Sequence, residues 1–232
     1  MISPSPAAAP STVDGNLQQF YELFRVVKFK KDELIFLAST EPTLAYAVKS
    51  GYVRCFSYTD MNDERSISFV LRNEMLPIAW IYTKSSTAIF NYIAHTDCEL
   101  YEIDRDKYHA FLANHPDLAR TMLIHSMNDL VTKKLQILAL EQATAEHKIL
   151  HTFSYLCIRY GKTMLQNLIV IKIPLTQKDI AGFTGLTRET VTNTTIKLKR
   201  KGILSVKKRF YTVDIHKLRQ EIDIETEILT LN

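Results

Sequence analysis

Arg188, Glu189, Thr192 and Asn193 fall within six consecutive positions of the segment "LTQKDIAGFTGLTRETVTNTTIKLKRKGIL", residues 175–204. They supply a guanidinium fork, a carboxylate, a hydroxyl and a carboxamide. The chemistry open to such a set is recognition of base edges. Arg forks onto guanine, Glu accepts from a cytosine amine, Asn pairs with adenine, and Thr meets a base or a phosphate. The chain offers no convincing Ser/His/Asp, Cys/His or paired-carboxylate arrangement, so its sequence is not read as that of an enzyme. His147 and His151 stand four apart, a spacing that can clamp a metal, but no third ligand accompanies them and no metal site is assigned.

Side chains of this kind read a groove only when a helix presents them. Thr176 is a good N-cap, and "QKDIAGF" after it carries Ile180, Ala181 and Phe183 for packing. Gly185 permits the left-handed backbone that ends this helix, and Leu186 fills the space behind the turn. Thr187 then caps a second helix on which Val191, Thr195 and Leu198 form the inward face, leaving Arg188, Glu189, Thr192, Asn193 and Lys199 toward the outside. That is a helix-turn-helix.

From Lys197 to Arg209 the chain carries seven basic residues and no acidic one. Gly202 ends the helix, and "ILSV" and "RFYTV" can pair as the two strands of a wing with basic residues at their turn. Thr176, Thr187, Lys199, Lys207, Lys208 and Arg209 are the expected phosphate contacts, which set position rather than specificity. A solvated basic surface on an ordinary helix pair is the alternative. Charge favours the first reading: residues 1–150 sum to −3 and residues 151–232 to +7.

Between Arg25 and Asp104 lie seven short apolar runs rich in β-branched and aromatic residues, separated by polar turns, the pattern of an antiparallel barrel or sandwich. A long helical pattern follows from Asp117 to Glu141. Its apolar residues form two adjoining stripes, Leu123, Met127, Leu130, Ile137 and Ile124, Val131, Leu135, Leu138. One stripe can cover the β-domain and the other meet a second copy, giving a dimer interface at Leu123, Met127, Leu130, Val131 and Leu138. Burial of both stripes within one subunit is the alternative. Cys55, Cys98 and Cys157 are too far apart in sequence for a close metal-ligand pair and read as reduced thiols. No apolar run reaches the roughly 20 residues of a membrane span. The start, "MISPSPAAAPSTVDG", reads as a disordered lead-in.

At the residues quoted, the chain resembles the Crp/Fnr family of bacterial transcription regulators. "TRETV", the basic helix end and "KGIL" look like the family's recognition helix and wing entry, and "KKDELIFLAST…AYAVKSGYVRCFSY" is similar to the first strands of its β-roll. The resemblance covers nearly the whole chain and implies an α+β architecture: a lead-in over 1–19, a cyclic-nucleotide-binding-like β-roll over 20–116, a dimerisation helix over 117–141 and a winged helix-turn-helix over 142–232. It implies a cytoplasmic homodimer that binds a pseudo-palindrome in double-stranded DNA, with RNA polymerase as a further partner if the protein activates. Arg188 and Glu189 match the family's base-contacting pair. The Arg that commonly follows four residues later is Asn193 here, which shifts expectation toward adenine or a weakened readout at that base pair.

Cyclic-nucleotide-binding members carry a Gly-Glu step and, about ten residues on, an Arg followed by a small hydroxyl residue. This chain has Pro77 and Ile78 at the first and "KSST" with Lys84 at the second. Iron–sulfur members use amino-terminal cysteines, and none precedes Cys55. A small organic anion held by Trp80, Tyr82, Lys84 and Tyr92 is one reading of the β-roll, and simple packing of those aromatics is the other. The whole chain also admits a ligand-binding module acting through a protein partner, which salt-sensitive binding to a palindromic duplex would separate from a DNA regulator.

Overall fold

The alternation between Arg25 and Asp104 folds as antiparallel strands in the computed structural model, which describes residues 12–165 and 167–222. The strands are β1 (Val26–Phe29), β2 (Leu34–Phe36), β3 (Ala45–Ser50), β4 (Val53–Tyr58), β5 (Glu64–Val70), β6 (Met75–Leu76), β7 (Asn91–Ala94) and β8 (Cys98–Ile103). Two four-stranded sheets result, in the orders β1-β8-β3-β6 and β2-β7-β4-β5. Inward residues of both sheets, among them Val48, Val53, Cys55, Leu76, Tyr92 and Leu100, form one apolar cluster. Gly51, at φ +85°, lets the β3–β4 turn approach the Asp97 carbonyl, where a Cβ would lie 2.4 Å from that oxygen.

The amino-terminal lead-in needs correction. Residues 12–19, expected to be unstructured, belong to helix α1 (Thr12–Tyr21). Leu17, Phe20 and Tyr21 on it are buried, and the Phe20 ring stacks on Phe111 with centroids 4.0 Å apart. The remainder of that expectation, residues 1–11, lies outside the described residues. So does the tail over 223–232, to which the sequence assigned no role.

Helices α2 (Ile78–Tyr82), α3 (Arg105–Ala113) and α4 (Pro116–Leu140) complete the first half of the chain. Asp104 caps α3 by accepting from the Lys107 amide at 2.9 Å. Pro116 then opens α4 at its first position, where a missing N–H costs nothing. On α4 the two apolar stripes do not divide as expected. Leu123, Ile124, Met127, Leu130, Val131, Ile137 and Leu138 are all between 41 and 59 % exposed, while the buried positions are Leu118, Thr132 and Ala139.

Beyond α4 come α5 (Ala145–Tyr160), β9 (Gly161–Leu165), β10 (Leu168–Ile171), α6 (Gln177–Thr184), α7 (Arg188–Arg200), β11 (Leu204–Lys207), β12 (Phe210–Asp214) and α8 (Ile215–Glu221). Two compact units emerge, one of residues to Met61 with Ile67–Ile124, the other of Asn62–Ser66 and the chain from His125. In the second unit the wing strands extend into a four-stranded sheet, β11-β12-β10-β9, whose β9–β10 hairpin was not expected. Residues 162–165 on β9 are all exposed, so they carry no inward–outward alternation to betray a strand. All three cysteines are buried and none is in a disulfide; burial pushes the Cys157 thiol well above its ordinary pKa.

Candidate nucleic-acid interface

Thr176 and Asp179 close a capping box on α6. The Thr176 hydroxyl accepts from the Asp179 amide at 3.2 Å, and Asp179 Oδ2 accepts from the Thr176 amide at 2.7 Å. Gly185, at φ +69°, turns the chain, and its N–H donates to the Ala181 carbonyl at 2.9 Å. Thr187 caps α7 by accepting from the Thr190 amide at 3.1 Å. Phe183, Val191, Thr195 and Leu198, each at most 2 % exposed, lock the pair of helices together.

With that face committed to the core, α7 turns Arg188, Glu189 and Asn193 to solvent; Thr192 and Lys199 stand half-exposed at the margins. Thr192 Oγ1 donates to the Arg188 carbonyl at 2.8 Å, which leaves its lone pairs and methyl for a ligand. Ile196 and Arg200 also face outward, and sequence reasoning passed over both. Their signal was position: neither shares the stripe of Val191 and Leu198. Thr176 and Thr187, expected at phosphates, spend their hydroxyls on the two caps.

The wing closes in a two-residue turn. Lys207 pairs with Phe210, and Lys208 and Arg209 between them adopt φ +50° and +72°. Lys207, Lys208 and Arg209 are all exposed. The Arg209 carbonyl accepts from the Leu175 amide at 2.9 Å, which ties the turn to the residue before the α6 cap. Basic side chains of the wing and the amino end of α6 therefore belong to one neighbourhood of the second unit.

Two lysines of the basic run are engaged within the protein. Glu146, at the start of α5, holds Lys197 Nζ at 2.5 Å and Lys201 Nζ at 3.2 Å, and Glu221 holds Lys201 at 2.7 Å. Its bond to Lys197, aided by the one to Lys201, keeps the Glu146 carboxyl below the usual range. Bonds to Glu221 and then Glu146 raise Lys201. The expectation that this whole run meets phosphates is thus corrected for Lys197 and Lys201, which fasten the carboxyl end of α7 to α5 and α8. Gln177 was also missed. Its Nε2 donates to Tyr211 Oη at 2.8 Å and its Oε1 accepts from Thr195 Oγ1 at 3.5 Å, linking α6, the wing and α7.

The four aromatic and basic residues proposed for a β-roll pocket are not gathered into one apolar cluster. Trp80 packs beside α1 and α3, with the Arg105 guanidinium 5.0 Å from its ring centroid. Tyr92 is buried in the interior between the two sheets with Phe36. Tyr82 shares a 2.5 Å hydrogen bond with Tyr108, and Lys84 is exposed. Among the described residues no group of three or more His, Cys, Asp or Glu side chains could hold a metal ion, and no helix is long and apolar enough to cross a membrane.

Comparison with known proteins bears on both units. Residues 148–221 match the family model of the Crp-like helix-turn-helix domain, and residues 26–115 match that of the cyclic nucleotide-binding domain. The chain is 24 % identical to Electron transport regulator A of Shewanella oneidensis over 212 residues, 90 % of this chain and 84 % of that one. It is 25 % identical to the Fumarate and nitrate reduction regulatory protein of Vibrio cholerae over 207 residues, 88 % and 80 % of the two chains. Among solved structures, FixK2 from Bradyrhizobium japonicum has the same fold, with a TM-score of 0.70 at 18 % identity over 88 % of this chain and 99 % of its own. With an amino-terminal β-roll, a capped helix-turn-helix and a basic wing in that order, the chain belongs to the Crp/Fnr family of DNA-binding transcription regulators.

Proposed function

We propose that this regulator acts in the cytoplasm as a homodimer, each subunit placing α7 in a major groove of a pseudo-palindromic site, with half-site centres about 34 Å apart. The observation that carries the base-reading role is the exposure of Arg188, Glu189 and Asn193 on a helix whose opposite face is sealed in the core. The uncovered apolar face of α4 supports the dimer, because a second copy is the simplest surface to cover it. RNA polymerase is a further partner if the protein activates.

For the signal, the β-roll interior does not fit a cyclic nucleotide. Pro77 and Ile78 replace the acidic step, and Lys84 is the lone cation between residues 78 and 94. The rings of Phe36, Tyr46 and Tyr92 pack together there, with Phe36 centroids 5.4 Å and 6.1 Å from the other two. An effector of another class, or control by abundance, suits these residues better. Any effector acts by binding one conformation of the dimer more tightly than the other.

Selection of bound sequences from random duplexes, with purified protein and no added ligand, tests the reading. An enriched inverted repeat with adenine at the pair met by Asn193 is expected; absence of any enriched repeat, with or without candidate effectors, contradicts it. On the selected site Arg188→Ala is expected to cost about 1–3 kcal/mol and to relax discrimination at one base pair. Lys208→Ala, in contrast, weakens all sequences alike and reduces the slope of log affinity against log salt by about 0.9. Equal behaviour of the two variants in salt-dependent titrations would show α7 to be misplaced.

A further inference from the structure

We propose that Ile196 is a specificity-determining residue that packs against the C5-methyl group of a thymine in the major groove. This rests on the DNA-reading role of α7. Three apolar side chains lie on that helix, and two of them, Val191 and Leu198, are fully buried. Ile196 is 43 % exposed. A lone surface isoleucine needs no explanation on an ordinary helix, so its bearing on this one decides the matter. At about 100° per residue, Glu189, Asn193, Ile196 and Arg200, at i, i+4, i+7 and i+11, share one narrow stripe directly opposite Val191 and Leu198. Ile196 therefore occupies the middle of the face that meets the bases, between a carboxamide and a guanidinium.

The groove offers one apolar partner for it. Purine and cytosine edges display hydrogen-bond donors and acceptors in the major groove, and thymine alone adds a methyl group. An isoleucine pressed against the other edges would strip water from polar groups without replacing their hydrogen bonds, which is unfavourable. Ile196 thus acts twice, favouring thymine and disfavouring the rest. Its β-branched side chain holds few rotamers in a helix, so little freedom is lost on contact. Lys197, the next residue, is drawn toward Glu146, which leaves this level of the helix to Ile196. Ile196 stands about 4.5 Å further along the axis than Asn193, close to the roughly 3.4 Å rise of one base pair. The thymine accordingly neighbours the pair met by Asn193.

The test uses the full chain and the duplex enriched by selection. Each thymine of one half-site is replaced singly by deoxyuridine, which removes the methyl group and nothing else. Wild-type protein is expected to lose about fourfold in affinity at one such position, the value of one buried methyl group. Ile196→Ala, a helix-favouring change at an exposed site, is expected to bind the thymine and deoxyuridine duplexes equally there while keeping the fold by circular dichroism. Indifference of the wild type to every replacement overturns the assignment and leaves the DNA reading standing, as does sensitivity that persists in Ile196→Ala. A failure to enrich any duplex overturns the DNA reading, and this inference with it.

Discussion

Leu130→Glu is expected to leave the protein monomeric in sedimentation and to lower its affinity for a two-half-site duplex by about two to four orders of magnitude. Leu130 is near the middle of α4 and belongs to the apolar face shared by Met127 and Val131. A symmetric pairing brings each residue of such a seam near its own copy or a neighbour, so one substitution acts twice. Two carboxylates would enter a surface that must shed water, which is strongly unfavourable without partners. Glutamate is as good a helix former as leucine, so α4 itself persists. Each monomer retains its contacts to one half-site, and affinity for a single-half-site duplex should be unchanged. A dimer surviving this substitution would show that another face joins the copies.

Phe183→Ala is expected to destabilise the second unit by about 3–5 kcal/mol, the range for removing a fully buried phenylalanine. Phe183 is 2 % exposed at the end of α6, with its ring centroid 6.1 Å from that of Tyr155 on α5. Loss of the ring opens a cavity behind the turn that sets the angle between α6 and α7, so DNA affinity should fall along with stability. The molecule supplies a built-in control, because its single tryptophan, Trp80, belongs to the first unit. Denaturation followed by far-ultraviolet circular dichroism should show a transition displaced to lower denaturant. Unaltered stability would mean that the helix pair is held chiefly by Val191 and Leu198.

Much of the DNA-reading element could be read from residues alone because its signals are local. Thr176, Gly185 and Thr187 each act through bonds to residues two to four positions away, and each is found in that role. The wing strands were legible for the same reason. What the sequence concealed depends on distant partners or on brevity. Glu146 meets Lys197 across 51 positions, and Gln177 meets Tyr211 across 34, separations at which no spacing rule operates. Strand β6 has two residues, too few to alternate, and α1 was masked by a polar surface whose three anchors, Leu17, Phe20 and Tyr21, find their core only in the folded chain. The β-roll pocket failed differently. Aromatic residues close in sequence were taken to face one cavity, whereas Trp80 and Tyr92 pack in separate clusters.

The wing turn has a cost written into its backbone. Lys208 and Arg209 both sit at positive φ, a region in which Asn and Gly are at ease and a long cationic side chain is crowded by its own carbonyl. A mirror-image turn of two residues is nonetheless the one whose twist suits a tight hairpin. The chain therefore keeps a conformation worth about 1 kcal/mol or more of strain per residue at the very tip that is meant to lie against phosphates. Asn and Gly at these two positions would make a calmer hairpin and an uncharged one. Thermal hardiness and grip on the nucleic acid are set against each other in two adjacent residues, and natural variation at this turn should trade one for the other.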